Sequence, residues 1–340
     1  MTKAAFYEGN QQFSFGAGSV VAPKAGEVQI RVAYGGICGT DLHIYHGNMD
    51  RRVTKPQVIG HEISGVISAL GDGVEGFEIG DPVTVMPLDT DRCLERDAEY
   101  SHICEHLKFM GIDSPGGFQS FWTVPAYTLH RLPPTLPLKY GALIEPLAVA
   151  CHDVRLGQVK ADDMVVVLGG GPIGTLVAMV AQSIGSRVIV SEINPYRVEF
   201  IRSLGMDAVN PRETDLPAYV LDKTNGRGAD VVFEVTGSAA GAEMMTKLPR
   251  IRGRIVIVGI ANAPAPVDLF RFFWRELSLQ GARVYEHQDF DHAIELAASG
   301  KLALDRIITQ VRPIEELQVA LQVLEAGGEV MKILIEVDPS

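Results

Sequence analysis

The sequence predicts an α/β chain of two domains, in which a doubly wound parallel sheet interrupts a mostly β domain assembled from both chain ends. Three observations carry this. The 340 residues exceed what one simple core organises. Before about residue 145 short strands and glycine turns follow one another, with little helical period. Beyond residue 160 apolar strands alternate with helices, the pattern of a parallel sheet.

In chain order, residues 28–32 (VQIRV) and 83–86 (VTVM) read as strands, punctuated by Gly71-Asp72-Gly73, Gly80-Asp81 and Gly116-Gly117. A short helix is expected at 41–45, opened by Thr40 as its cap. The second half gives a buried strand at 165–168, a glycine turn at 169–174 and a helix at 173–184. A strand at 187–191, a helix at 195–204 and strands at 230–234 and 253–258 follow, and 332–337 (KILIEV) ends the chain as a strand. The domains are expected at 1–146 with 283–340, and at 147–282.

Composition excludes several classes. Hydrophobic residues make up 46% and charged residues 21%, which is neither disordered nor collagen-like. Forty-two acidic against 30 basic residues leave a net charge of −12, so no nucleic-acid partner is expected. The first 15 residues carry no apolar signal core, and the longest apolar run, 164–181, is broken by Gly169, Gly170, Gly171 and Pro172. No membrane association is expected. Four cysteines (Cys38, Cys93, Cys104, Cys151) are too few for a disulfide scaffold; a cytoplasmic location is expected, with any working cysteine a metal ligand.

Gly169, Gly171 and Gly174 form G-x-G-x-x-G between a strand and a helix. The three glycines would serve a tight turn, backbone approach to a pyrophosphate, and helix–sheet packing, while the helix N-terminus faces the diphosphate. Glu192 ends the next strand, 18 residues after Gly174, where an acid accepts both ribose hydroxyls and repels a 2′-phosphate. NAD is therefore expected over NADP. Arg197 is placed to flank the adenine, and Pro172, Ile173, Val258 and Ala282 complete the expected cofactor contacts.

Cys38 and the pair His61-Glu62 supply thiolate, imidazole and carboxylate, the donor types a catalytic zinc takes while keeping one position open. Glu145, flanked by apolar residues, is a further carboxylate that needs a partner or a metal.

Gly36-Ile37-Cys38-Gly39-Thr40-Asp41-Leu42-His43, Gly60-His61-Glu62, Gly80-Asp81-Pro82-Val83, Gly116-Gly117-Phe118, Glu145-Pro146-Leu147, the glycine turn, and Glu192 through Arg197 occur here in one order along the whole chain. In this the sequence resembles the zinc-dependent medium-chain alcohol dehydrogenases, in their polyol, threonine and butanediol branch. The resemblance implies a GroES-like catalytic domain and a Rossmann domain, with one catalytic zinc on Cys38, His61 and Glu62. Glu145 would be a fourth ligand or partner of the metal-bound water. It also implies a proton relay from the alcohol through Thr40 to His43, which, three residues apart on a helix, share a face.

One departure stands out. The family's structural-zinc lobe carries C-x2-C-x2-C-x7-C, and here Thr90 and Arg96 stand at two of the four positions, leaving Cys93 and Cys104. The structural zinc is expected to be absent and both cysteines to be reduced thiols.

The function expected is reversible, NAD- and zinc-dependent oxidation of a secondary alcohol of a polyol or diol. An L-threonine 3-dehydrogenase is the alternative enzyme, suggested by Cys38 through Tyr45, and a non-catalytic NAD-binding protein the alternative outside enzymes. Tyr45, Phe118, Trp122 and Phe272 are equally placed for pocket or core. A homodimer or homotetramer is expected, paired near residues 253–258.

Overall fold

The computed structural model describes residues 2–261 and 263–338. The chain forms two compact units, Met1–Glu145 with Glu286–Gly300 and Leu304–Ser340, and Pro146–Tyr285 with Lys301–Ala303.

The first unit is built on a mixed sheet of seven strands. Its centre is Glu27–Gly36, ten residues long, which pairs antiparallel with Glu62–Leu70 on one side. On the other side its first half pairs with Phe121–Pro125 and its end with Lys332–Glu336. The C-terminal strand thus closes a sheet begun by the N-terminal third, through Leu334 opposite Gly36. Val28, Ile30, Val32, Ile63, Val83 and Leu334 are fully buried beneath it. Residues 28–32 and 83–86 fall in Glu27–Gly36 and Pro82–Val85.

The second unit holds six parallel strands in the order Asp207–Val209, Arg187–Ser191, Met164–Leu168, Ala229–Glu234, Pro249–Ile257, Ser278–Gly281. The order reverses between Met164–Leu168 and Ala229–Glu234, so a crevice opens at their carboxyl ends, where such sheets take ligands. Helices Pro172–Ser183 and Pro195–Ser203 match the predicted ones to within a residue. The strand expected at 253–258 begins at Pro249, and it is internal: the free edge on that side is Ser278–Gly281. That edge is a four-residue strand exposed throughout, with no apolar run to announce it.

Two further expectations are corrected. The helix Gly39–Tyr45 is capped by Cys38, and Thr40 lies in its first turn, because Asp41 accepts the Cys38 N–H at 2.8 Å. Cys93 and Cys104 are joined as a disulfide and are not reduced thiols. The turn Glu95–Ile103 folds back and brings their Cα atoms to 5.9 Å, within bridging range. Among the described residues no helix is long and apolar enough to cross a membrane.

Candidate metal and dinucleotide sites

One helix and one strand of the first unit bring Cys38, His61 and Glu62 together. Cys38 caps the helix Gly39–Tyr45, His61 precedes the strand Glu62–Leu70, and Glu62 opens that strand. Their donor atoms all lie within 4.8 Å of one another, and among the described residues this is the one such group of three or more. His61 and Glu62 are buried, and Cys38 is half-buried, leaving one side reachable. His61 Nδ1 is buried with no hydrogen-bond partner, and Glu62 Oε2 is buried with the Lys332 ammonium as its ion-pair partner. Thiolate, imidazole and carboxylate gathered this closely in a largely buried place are the donor set that zinc takes.

The surrounding charge favours a cation. Burial alone would depress the His61 imidazole, but Asp41, Cys38 and Glu145 overturn this and hold its pKa up to about 10. Asp41 is fully buried, and its Oδ1 lies 3.8 Å from His61 Nδ1. It therefore fixes the Cys38 backbone and faces the His61 ring at once, as carboxylates behind metal-binding histidines do. Glu145, 4% exposed in the first turn of Ile144–Leu156, is near enough for its charge to act on His61.

Lys332 was not singled out from the sequence. It is 3% exposed and places Nζ 2.5 Å from Glu62. Burial lowers its pKa, yet Glu62, Cys38 and Glu145 more than compensate and raise it. No local signal could have found it, since it stands 270 residues from its partner.

Thr40 and His43 are both half-buried on the helix whose other side buries Asp41, Ile44 and Tyr45. His43 Nδ1 approaches Asn48 at 3.5 Å. The four aromatics weighed for a pocket are packing residues. Tyr45 stacks on Phe13, Phe118 is fully buried, Trp122 donates to the Pro115 carbonyl, and Phe272 packs on the core of the second unit.

In the second unit Gly169 leaves Met164–Leu168 with φ +102°, a conformation suited to glycine. A Cβ on Gly174 would collide with the Gly169 carbonyl, so the helix can sit against the turn only with glycine there. Gly171 caps the helix and Pro172 starts it, which suits proline's missing N–H. Above Gly171 the space is open except for the Arg197 guanidinium, 3.7 Å from where a Cβ would stand. Arg197 thus lies beside the glycine turn.

Glu192 is 7% exposed at the carboxyl end of the sheet. Its Oε2 accepts Gly170 N–H at 2.9 Å, and its Oε1 accepts those of Ile193 and Asn194 at 2.6 and 2.8 Å. Three backbone donors fix the orientation of the carboxylate at the crevice. Val258 and Ala282 follow the last two strands, donating to the Glu234 and Ile257 carbonyls, at the same end of the sheet.

Comparison with known proteins agrees with this geometry. Residues 24–134 match the alcohol dehydrogenase GroES-like domain, and 172–299 the zinc-binding dehydrogenase domain. The chain is 55% identical to 2-dehydro-3-deoxy-L-galactonate 5-dehydrogenase of Pseudoalteromonas atlantica, over 98% of both chains. It is 34% identical to L-threonine 3-dehydrogenase of Pyrococcus horikoshii, over 93% of both. Among solved structures, 2R,3R-butanediol dehydrogenase of Bacillus subtilis superposes with TM-score 0.92 at 30% identity, over 99% of this chain and 100% of that one. An alcohol dehydrogenase of E. coli CFT073, solved with NADH, superposes with TM-score 0.91 at 28% identity, over 98% and 99%.

Proposed function

Because the chain belongs to the zinc-dependent alcohol dehydrogenases, we propose that it oxidises the C5 hydroxyl of a 2-dehydro-3-deoxy sugar acid to a ketone, reversibly and with NAD. The family activity, exchange of hydride between a secondary alcohol and a nicotinamide dinucleotide with zinc, is the chain's own. The observation that carries the sugar-acid reading is the contrast between 55% identity to the sugar-acid enzyme and 34% to the threonine enzyme.

We assign the catalytic domain to residues 1–146 and 283–340 and the NAD-binding domain to 147–282. Cys38, His61 and Glu62 would hold the zinc, with Glu145 as fourth ligand or as the acid facing it. Zinc, when bound, lowers the pKa of the substrate hydroxyl, and the dinucleotide supplies the hydride acceptor. Thr40 would accept the hydroxyl proton while giving up its own toward His43 on the same helix, which releases a proton to solvent. Glu192 binds the adenosine ribose and turns away a 2′-phosphate, residues 169–174 cradle the diphosphate, and Arg197 flanks the adenine. Val258 and Ala282 line the far side of the crevice.

The protein is expected in the cytoplasm as a homodimer or homotetramer. The exposed Ser278–Gly281 edge and its neighbours Phe270, Phe273 and Trp274, all more than 60% exposed, support pairing there. The test is NAD reduction against 2-dehydro-3-deoxy-L-galactonate, L-threonine, sorbitol and 2,3-butanediol. The sugar acid should give a kcat/KM at least about a hundredfold above the others. A higher value with threonine or sorbitol would replace this reading.

A further inference from the structure

An imidazole binds a metal through nitrogens in the plane of its ring, so whatever fixes that plane fixes the bond. The His61 ring rests on Phe109, with centroids 5.3 Å apart and planes at 86°, an edge-to-face contact. The two residues are 2% and 8% exposed. The backbone behind them is as close. A Cβ on Gly111 would stand 2.5 Å from the Gly60 carbonyl oxygen and 3.2 Å from His61 Cβ. Gly117 N–H donates to the same Gly60 carbonyl at 2.9 Å. Phe109 is held in turn by Asp113, whose Oδ2 accepts its N–H at 2.8 Å. Arg52 donates to both oxygens of Asp113, at 2.9 and 2.7 Å.

Phe109 also closes the lobe that carries Cys93 and Cys104. The lobe leaves at Leu88–Asp89 and returns at Lys108–Phe109, two strands of two residues each, with Leu88 opposite Phe109. So short a ladder closes a long irregular loop weakly by itself. The disulfide shares the task, joining residues 11 apart in sequence just beyond the two strands. Leu107 N–H donates to the Cys104 carbonyl at 3.2 Å, so one hydrogen-bonded turn links the bridge to the Lys108–Phe109 strand. Cys104 is buried, but Cys93 is half-buried between exposed Arg92 and Leu94, where a small thiol can reach it.

We propose that Phe109 is a positioning residue for His61, and that the Cys93–Cys104 bridge governs how firmly it acts. Closed, the bridge pins the Lys108–Phe109 strand and keeps the two rings edge to face. A dithiol opens it by exchange: the S–S bond breaks, both cysteines leave as thiols, and the dithiol is oxidised to its own disulfide. The lobe then keeps only its two-residue ladder, Phe109 gains freedom, and the His61 ring turns more readily away from the metal. A site with no disulfide of its own thereby becomes sensitive to redox poise. This rests on the reading that zinc sits on Cys38, His61 and Glu62.

The experiment follows zinc transfer from the loaded holoenzyme to a chromogenic chelator. It compares the wild type, Cys93→Ser with Cys104→Ser, Phe109→Leu, Phe109→Tyr, and Phe109→Leu carrying both serines. The serine pair stands in for the opened bridge, because free thiols would themselves take up zinc. Release should quicken at least tenfold with Leu and at least threefold with the serine pair, and stay within twofold of wild type with Tyr, which keeps the ring. Adding the serine pair to Phe109→Leu should change release by less than twofold, since the bridge acts through the ring. In cobalt(II)-substituted protein the visible d–d bands should shift with Leu and with the serine pair and not with Tyr. The serine pair leaves the core untouched and covers the case in which Leu prevents folding. Wild-type release from the serine pair, or from a folded Leu variant, would overturn the proposal. So would an equal effect of the serine pair with and without the Phe109 ring. Full zinc retention in Cys38→Ser would instead overturn the metal-site reading beneath it.

Discussion

Glu192→Gln removes the charge that should select NAD while keeping nearly the same shape. The three backbone N–H groups that Glu192 accepts fix its carboxylate, 7% exposed, at the mouth of the crevice. A 2′-phosphate carrying about two negative charges at about 5 Å would feel a repulsion of about 1.7 kcal/mol at the dielectric of water, and several-fold more in a partly buried site. We take the lower figure because Arg197, beside the glycine turn, offsets part of the repulsion. At about 1.4 kcal/mol per factor of ten this is roughly twentyfold, so the wild type should favour NAD by at least tenfold in kcat/KM. The Gln variant should narrow the ratio by about the same factor. It should also lose some efficiency with NAD, since an amide cannot accept from both ribose hydroxyls. The assay is kcat/KM for each dinucleotide at saturating alcohol. A variant ratio within twofold of the wild type would show that Glu192 does not face the ribose.

Cys38→Ser should lose the zinc, of which metal analysis should find one per chain, while His43→Ala should keep it and turn over more slowly, with partial rescue as pH or buffer concentration rises. Replacing Cys93 and Cys104 by serine, or reducing them, should lower the melting temperature by about 5–10 °C, since opening a short disulfide loop costs about 3 kcal/mol. Equal melting of the oxidised and reduced forms by calorimetry would refute this. Asp230, whose side chain is 10% exposed, accepts from Met164 N–H at 2.8 Å and Arg250 Nε at 2.5 Å. Burial opposes ionisation there, but these two donors hold its pKa below the usual value. A lowered folded pKa contributes stability that is present above about pH 4 and is lost as pH falls through the folded value. Asp230→Asn should lower stability by about 1–3 kcal/mol at neutral pH and flatten the acid limb of the denaturant-unfolding profile.

What the sequence made legible was local. The glycine turn, the apolar strands either side of it, and Cys38, His61 and Glu62 each carry their signal within a few residues. Asp41 was in plain view in the same motif. Its role emerged only when the helix was seen to start at Cys38, which turns the acid back onto that backbone and toward His61. What stayed hidden depends on chain crossings. Lys332 reaches Glu62 because the last strand returns to the first sheet and Gly36 leaves the gap. The 93–104 bridge depends on the irregular turn Glu95–Ile103, which has no periodicity to read. The edge at Ser278–Gly281 lacks the apolar alternation that marks a half-buried strand. Tyr45, Phe118 and Trp122 are buried aromatics whose bulk fits core and pocket alike until neighbours decide.

The most direct test follows the hydrogen itself. The enzyme is given 2-dehydro-3-deoxy-L-galactonate carrying deuterium at C5, and the reduced dinucleotide is examined by mass spectrometry. Hydride transfer from the C5 alcohol predicts one deuterium in the NADH formed, with turnover slowed relative to the unlabelled substrate if that transfer limits the rate. NADH formed without deuterium would contradict the account, placing the oxidised carbon elsewhere on the substrate.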